Sequence, residues 1–218
     1  MEERYDYRLT FSKSDRAVYI SHLDLMRTMQ RAFKRAKLPI WYTKGFNPHA
    51  YIMFPLALSL GVMSDVEVMD VALTEKIPNE EVAARLNSAL PEGIRILKVS
   101  EPVNEHKRIK KAEYEIHFKC ERDILDDFNS FISQDKIEIT KITKKKKEKI
   151  IDIKQNLEVS EIQNNGDGLL IKVLLPAGCD NNINPGVLTD AFSEFSKKNF
   201  SVKTKRIRIL MDDGNDYF

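Results

Sequence analysis

From Tyr5 to Phe11 the chain alternates, with Tyr5, Tyr7, Leu9 and Phe11 on one face and Asp6, Arg8 and Thr10 on the other. A period of two is the pattern of a half-buried strand. The alternation breaks at the turn-forming residues 12–15, and Ala17 to Ile20 makes a second short apolar run. The period then becomes helical. Leu25, Met29, Ala32, Phe33 and Ala36 recur at three- and four-residue spacing, which predicts an amphipathic helix capped by Ser21. Asp24, three residues after Ser21, completes a pattern like a capping box, and Pro39 stops the helix.

Residues 40–43 (IWYT) and 50–55 (AYIMFP) read as strand pieces around a polar loop, and residues 66–73 (VEVMDVAL) as a further strand. Residues 78–90 open with Pro78 and carry acids in the first turn, which suits the positive end of a helix dipole. Pro91-Glu92-Gly93 ends that helix, and residues 94–100 close the half with a strand. The order strand, helix, strands, helix, strand is that of the ferredoxin-like split βαβ arrangement.

After residues 105–111, which lack apolar periodicity, the pattern starts again. Residues 112–118 are strand-like, 121–133 helical and 137–143 strand-like. Residues 150–163 are also strand-like, 168–178 form a strong strand, 184–198 a helix with Asn184-Pro185 at its start, and 200–211 a final strand. The expected fold class is therefore α+β, with two tandem ferredoxin-like (βαββαβ) domains built on antiparallel sheets. The expected domains are residues 1–104 and 112–218, joined by a linker at 105–111.

A length of 218 residues with 42% apolar content accommodates this organisation. Apolar runs are too short to span a bilayer, which takes about 20 residues, and the N-terminus has no secretory pattern. A cytoplasmic protein without membrane contact is expected. Cys120 and Cys179 are the two cysteines, with no spacing suited to a zinc ribbon, a disulfide framework or an iron–sulfur cluster.

A net charge of +2 hides a strong segregation. Between Leu25 and Ser64 there is no Asp or Glu, yet Arg27, Arg31, Lys34, Arg35, Lys37 and Lys44 fall in that span. Arg27, Arg31 and Lys34 cluster opposite the helix's apolar stripe, with Arg35 nearby. Unpaired cations so spaced bind polyanions by displacing condensed counterions. The alternative is that the acids that follow, Asp65, Glu67, Asp70, Glu75, Glu80 and Glu81, neutralise the helix. Further basic clusters occur at Lys144 to Lys149 and at Lys203, Lys205, Arg206 and Arg208.

The loop that follows the basic helix adds Lys44, Gly45, Phe46, Asn47 and His49. Gly45 permits a positive φ or a close backbone approach, and Trp41, Tyr42 and Phe46 offer faces for base stacking, although Trp41 suits a core position. His22 is the candidate acid–base residue for cleavage at a ribose 2′-hydroxyl. His22 and Asp24 supply two potential metal ligands and no third is evident, so no metal site is expected. His106 and His117 join no constellation, and phosphate-loop, dinucleotide, zinc-protease and serine-hydrolase motifs are absent from the sequence.

The segments ISHLDLMR (Ile20 to Arg27), GFNPH (Gly45 to His49) and LGV (Leu60 to Val62), with a weaker echo at Lys145 to Lys154, resemble the bacterial radical-SAM-linked (radical-SAM-associated) proteins of unknown function. The family more often has Arg where His49 stands. In that family the domain stands alone or follows a radical-SAM module, and its gene tends to lie beside those for a ribonuclease and ribosomal proteins. The resemblance implies a partner enzyme and an RNA-centred context. No cofactor is expected on this chain itself; a partner would use S-adenosylmethionine and an iron–sulfur cluster. The leading expectation is a non-catalytic accessory protein that binds RNA or a ribosome-related particle and works with a separate radical-SAM enzyme. A metal-independent endoribonuclease using His22, and a protein-binding adaptor without RNA contact, stay open.

Overall fold

The computed structural model describes residues 3–120, 123–142, 148–164, 166–179 and 181–218. Among these, four α-helices accompany mostly antiparallel strands, a mixed α/β structure. Two compact units are present: Met1–Ile109 with Met211–Phe218, and Lys110–Leu210. No helix among the described residues is long and apolar enough to cross a membrane.

The first unit runs β1 (Tyr5–Lys13), α1 (His22–Arg35), β2 (Ile52–Met53), β3 (Met63–Leu73), α2 (Asn79–Ala89) and β4 (Ile94–Ser100). Its strands are ordered β4-β1-β3-β2 with antiparallel neighbours, Leu9 standing opposite Met69 on one side and Val99 on the other. Tyr7, Leu9 and Phe11 of β1 face the same core as Met69, Val71 and Leu73 of β3. Leu25, Met29, Ala32 and Phe33 of α1 close over them, joined by Val82 and Leu86 of α2. Ser21 caps α1 as its sequence position predicts: its hydroxyl oxygen accepts from the Asp24 amide at 3.1 Å and its hydroxyl donates to the Asp24 carboxylate at 2.7 Å. The helix ends at Arg35, before Pro39, because Lys37 enters the left-handed region at φ 53°.

Three local details go beyond or against the sequence pattern. Residues 15–19, which include an apolar run with no element assigned to it, form a 3-10 turn. Beneath it Lys13, 2% exposed, donates to the Ile20 carbonyl at 3.2 Å and, more loosely, to that of Val18. Second, residues 40–43 make only isolated bridges, Ile40 to Leu73 and Tyr42 to Ala50. Ile52 and Met53 occupy the edge of β3 opposite Val71 and Asp70, so the two segments share one edge and each stays short.

Third, β3 does not alternate in burial: every residue from Glu67 to Leu73 is buried. The sheet face away from the helices holds a charged cluster. Arg8 grips Asp70 through two bonds, Nε to Oδ1 at 2.7 Å and Nη2 to Oδ2 at 2.8 Å. The same Nη2 donates to the Asn104 carbonyl at 2.9 Å and to the Tyr217 hydroxyl oxygen at 2.6 Å. The Tyr217 ring lies 4.2 Å from the guanidinium carbon and is fully buried. Burial pushes the Tyr217 hydroxyl up to about 12, with the Arg8 charge opposing the rise.

The second unit runs β5 (Ile109–Lys119), α3 (Leu125–Ile132), a hairpin of β6 (Glu138–Ile142) and β7 (Glu148–Asp152), then β8 (Glu158–Asn164), β9 (Gly168–Pro176), α4 (Pro185–Ser196) and β10 (Ser201–Met211). Strand order is β10-β5-β9-β8, with β5–β9 and β8–β9 antiparallel. Phenylalanines make its core: the Phe192 ring lies 5.1 Å from Phe118 and from Phe128 and 5.2 Å from Phe200, the last pair stacked. Asn184 caps α4, accepting from the Gly186 amide at 2.9 Å. Residues 121–122 and 143–147, the latter most of the second basic cluster, lie outside the described residues.

Candidate functional site

The apolar stripe of α1 is locked into the core, so its opposite face is obliged to point outward. Arg27, Arg31, Lys34 and Arg35 are all exposed. Their partners differ. Arg27 pairs with Asp24 one turn earlier, Nη1 to Oδ1 at 3.3 Å. The Asp24 carboxyl is held below the usual carboxylate range, first by the Ser21 hydroxyl and then by the charges of Arg27 and Arg31. Arg35 reaches α2 and donates to the Ala89 carbonyl at 2.7 Å, capping that helix's negative end. Arg31 and Lys34 have no ion pair or hydrogen-bond partner among the described residues.

After α1 the chain crosses β3, where the Trp41 amide donates to the Ala72 carbonyl at 2.8 Å, and returns through a tight loop. The Thr43 amide donates to the His49 carbonyl at 2.9 Å, and the Tyr51 amide to the Trp41 carbonyl at 2.9 Å, so the segment is a hairpin with residues 44–48 at its tip. Gly45 adopts φ 137°, a conformation that the glycine makes accessible. The tip presents Lys44, Phe46 and Asn47 to solvent, the Phe46 ring wholly uncovered. The His49 ring is held at Nδ1, 3.1 Å from the Asn47 carbonyl and 3.0 Å from Thr43 Oγ1. The Asn47 carbonyl only accepts, whereas the Thr43 hydroxyl either accepts or donates, so the ring's tautomer follows from which of the two Nδ1 engages.

Helix and hairpin together enclose a groove of about 700 Å³. Gln30, Arg31 and Lys34 form one wall, Tyr42, His49 and Ala50 the other, and Leu38, Pro39 and Ile40 the floor. No carboxylate of the described residues lines it. The sequence points to Arg31, Lys34, Tyr42 and His49 but not to the apolar floor. The Tyr42–Ala50 bridge, which closes the hairpin, has no short-range sequence signal beyond Gly45 between two apolar segments.

The remaining candidates lie elsewhere. Arg27 and Arg35 are engaged as described, and Lys44, Gly45, Phe46 and Asn47 are on the tip rather than in the groove lining. Trp41 is half-buried under the Arg4 guanidinium, which lies 4.8 Å from its ring and 4.4 Å from that of Tyr51. His22, the candidate acid–base residue, sets its ring edge-on against Phe54 at 5.1 Å. Among the described residues no group of three or more His, Cys, Asp or Glu side chains is placed to hold a metal. The basic cluster of β10 is divided, with Lys203 exposed, Lys205 half-buried and the two arginines engaged. Arg206 is buried beside Tyr114, its Nη2 3.3 Å from the phenol oxygen, and Arg208 lies 3.8 Å from Glu113.

Two solved structures are similar over nearly the full length. One, an unknown protein from Galdieria sulphuraria, shares 15% identity over 94% of this chain and 99% of its own, with a TM-score of 0.28. The other, titled a "putative glycine cleavage system transcriptional repressor", shares 12% identity over 93% and 98%, with a TM-score of 0.27. No curated protein matches the chain. Residues 6–185, from the second residue of β1 to the first of α4, match the family model DUF2344, and the chain belongs to that family, described as an uncharacterized protein conserved in bacteria.

Proposed function

We propose that the chain is a non-catalytic accessory protein that binds RNA, alone or within a ribonucleoprotein, and that it works beside a separate radical-SAM enzyme. The observation that carries the RNA reading is the groove between α1 and the hairpin, where Arg31 and Lys34 stand without a carboxylate in its lining. The phosphate backbone supplies the missing counter-charge, and the gain comes from counterion release. The family resemblance supports the partner enzyme, which would bring its own S-adenosylmethionine and cluster. The strand orders β4-β1-β3-β2 and β10-β5-β9-β8 support reading the two units as tandem ferredoxin-like domains.

The test is fluorescence anisotropy of the full chain with a labelled RNA over a salt series. Affinity is expected to fall steeply with salt, and the double variant Arg31→Ala, Lys34→Ala to flatten the slope of log K against log [salt] by roughly 0.7 for each single-strand phosphate contact removed. Binding that ignores both salt and the double variant would sink the proposal. The partner is tested separately, by whether a radical-SAM enzyme co-purifies with the tagged chain from its own cells.

A further inference from the structure

The groove has more in it than a phosphate track requires. A surface that follows only a backbone needs cations; this one also has an apolar floor of Leu38, Pro39 and Ile40, and the Tyr42 ring, 54% exposed, on the wall opposite Arg31 and Lys34. Its volume of about 700 Å³ is that of a site for one small organic molecule. A duplex is too wide to enter, and its bases are stacked inward where Tyr42 cannot reach them. An unpaired nucleotide matches the lining part by part. Its phosphate meets the cations, its base meets the phenol ring and apolar floor, and a polar group on the base or ribose meets the His49 ring. Phe46, uncovered at the hairpin tip, offers a second stacking face for a neighbouring base.

We infer that this groove is a single-strand site that takes one unpaired nucleotide, with the base stacked on Tyr42 and the adjoining phosphate on Arg31 and Lys34. The inference rests on the RNA reading above and narrows it from polyanion to unpaired strand. Stacking on an aromatic ring is sequence-tolerant, because every base has a face, so the site selects for strandedness over sequence.

The experiment compares a labelled RNA of about 10 nucleotides as a single strand and annealed to its complement, with the full-length wild type and with Tyr42→Ala and Tyr42→Phe. The expected result is single-strand binding at least about tenfold tighter than duplex binding, lowered about tenfold by Tyr42→Ala and retained by Tyr42→Phe. Tyr42 is half-exposed, and thermal melting of each variant checks that the fold is kept. Equal affinity for the two forms, or no loss in a folded Tyr42→Ala, overturns this inference while leaving RNA binding in place. Failure of the wild type to bind either form overturns both.

Discussion

Arg8 and Arg31 belong to the same compact unit and carry the same charge, yet they sit in opposite circumstances. Arg8 is 3% exposed and meets a carboxylate, a carbonyl and a phenol that all come from its own chain. Arg31 is exposed, and among the described residues its side chain makes no ion pair or hydrogen bond, its charge only helping to depress the Asp24 carboxyl. The difference follows from solvation. A guanidinium taken out of water costs several kcal/mol unless paired and fully hydrogen-bonded, whereas one left in water needs no partner at all. A chain can therefore leave a cation open for a ligand only where the surface stays wet. The first arginine belongs to stability and the second is available for binding.

Replacing the buried cation should have the largest effect. Arg8→Met leaves the Asp70 carboxylate buried and unpaired, and urea denaturation is expected to show a loss of about 3–5 kcal/mol. A loss below about 1 kcal/mol would mean that Asp70 finds water or another partner, and the contrast would fail. Tyr217→Phe tests the same cluster through pH. At neutral pH the lost hydroxyl leaves Arg8 short of an acceptor, for about 1–2 kcal/mol. The raised Tyr217 ionisation means that its contribution is fully present below about pH 10 and is lost as pH rises toward about 12. The wild type's advantage over Tyr217→Phe should therefore shrink in that window.

Ser21→Ala removes the cap of α1 and is expected to cost about 1 kcal/mol. Because the Asp24 carboxyl is depressed, chiefly by Ser21, its contribution is present above about pH 4 and is lost as pH falls below that range. The capped protein should lose stability in acid more steeply than Ser21→Ala does. Arg31→Ala marks the other end of the scale, with a change in stability within about 0.5 kcal/mol. A melting shift as large as that of Ser21→Ala would show Arg31 to be part of the fold and not open for binding.

The same contrast explains what could be seen in the sequence. Periodicity and caps are local, so α1, its cationic stripe, the Ser21 cap and the Asn184 cap were legible from residues close together. Arg8 and Asp70 stand 62 positions apart in the chain and meet only through the register of β1 on β3. Each is one charge among several in its strand, with Asp6 and Lys13 also on β1 and Asp65 and Glu67 also on β3, so the sequence does not single the pair out. Asp70 is one of the acids that the sequence offers to neutralise α1; the structure commits it to Arg8 instead. Glu81, another of those acids, pairs with Arg85 one turn along α2. The groove was half legible: its cations and His49 stood out, while its floor depends on how the chain leaves α1 and returns through the hairpin. The shortness of residues 40–43 as a strand could not be read either, since it arises from competition with Ile52–Met53 for one edge.

Lys13 carries a practical corollary. Burial lowers its amine pKa, yet the amine sits sealed under residues 15–19, tethered to main-chain oxygens. Amine-reactive reagents should therefore modify the surface lysines and pass this one by for as long as the native chain persists. Acylation at this single position, read by mass spectrometry, would serve as a built-in clock for the opening of the segment that leads into α1.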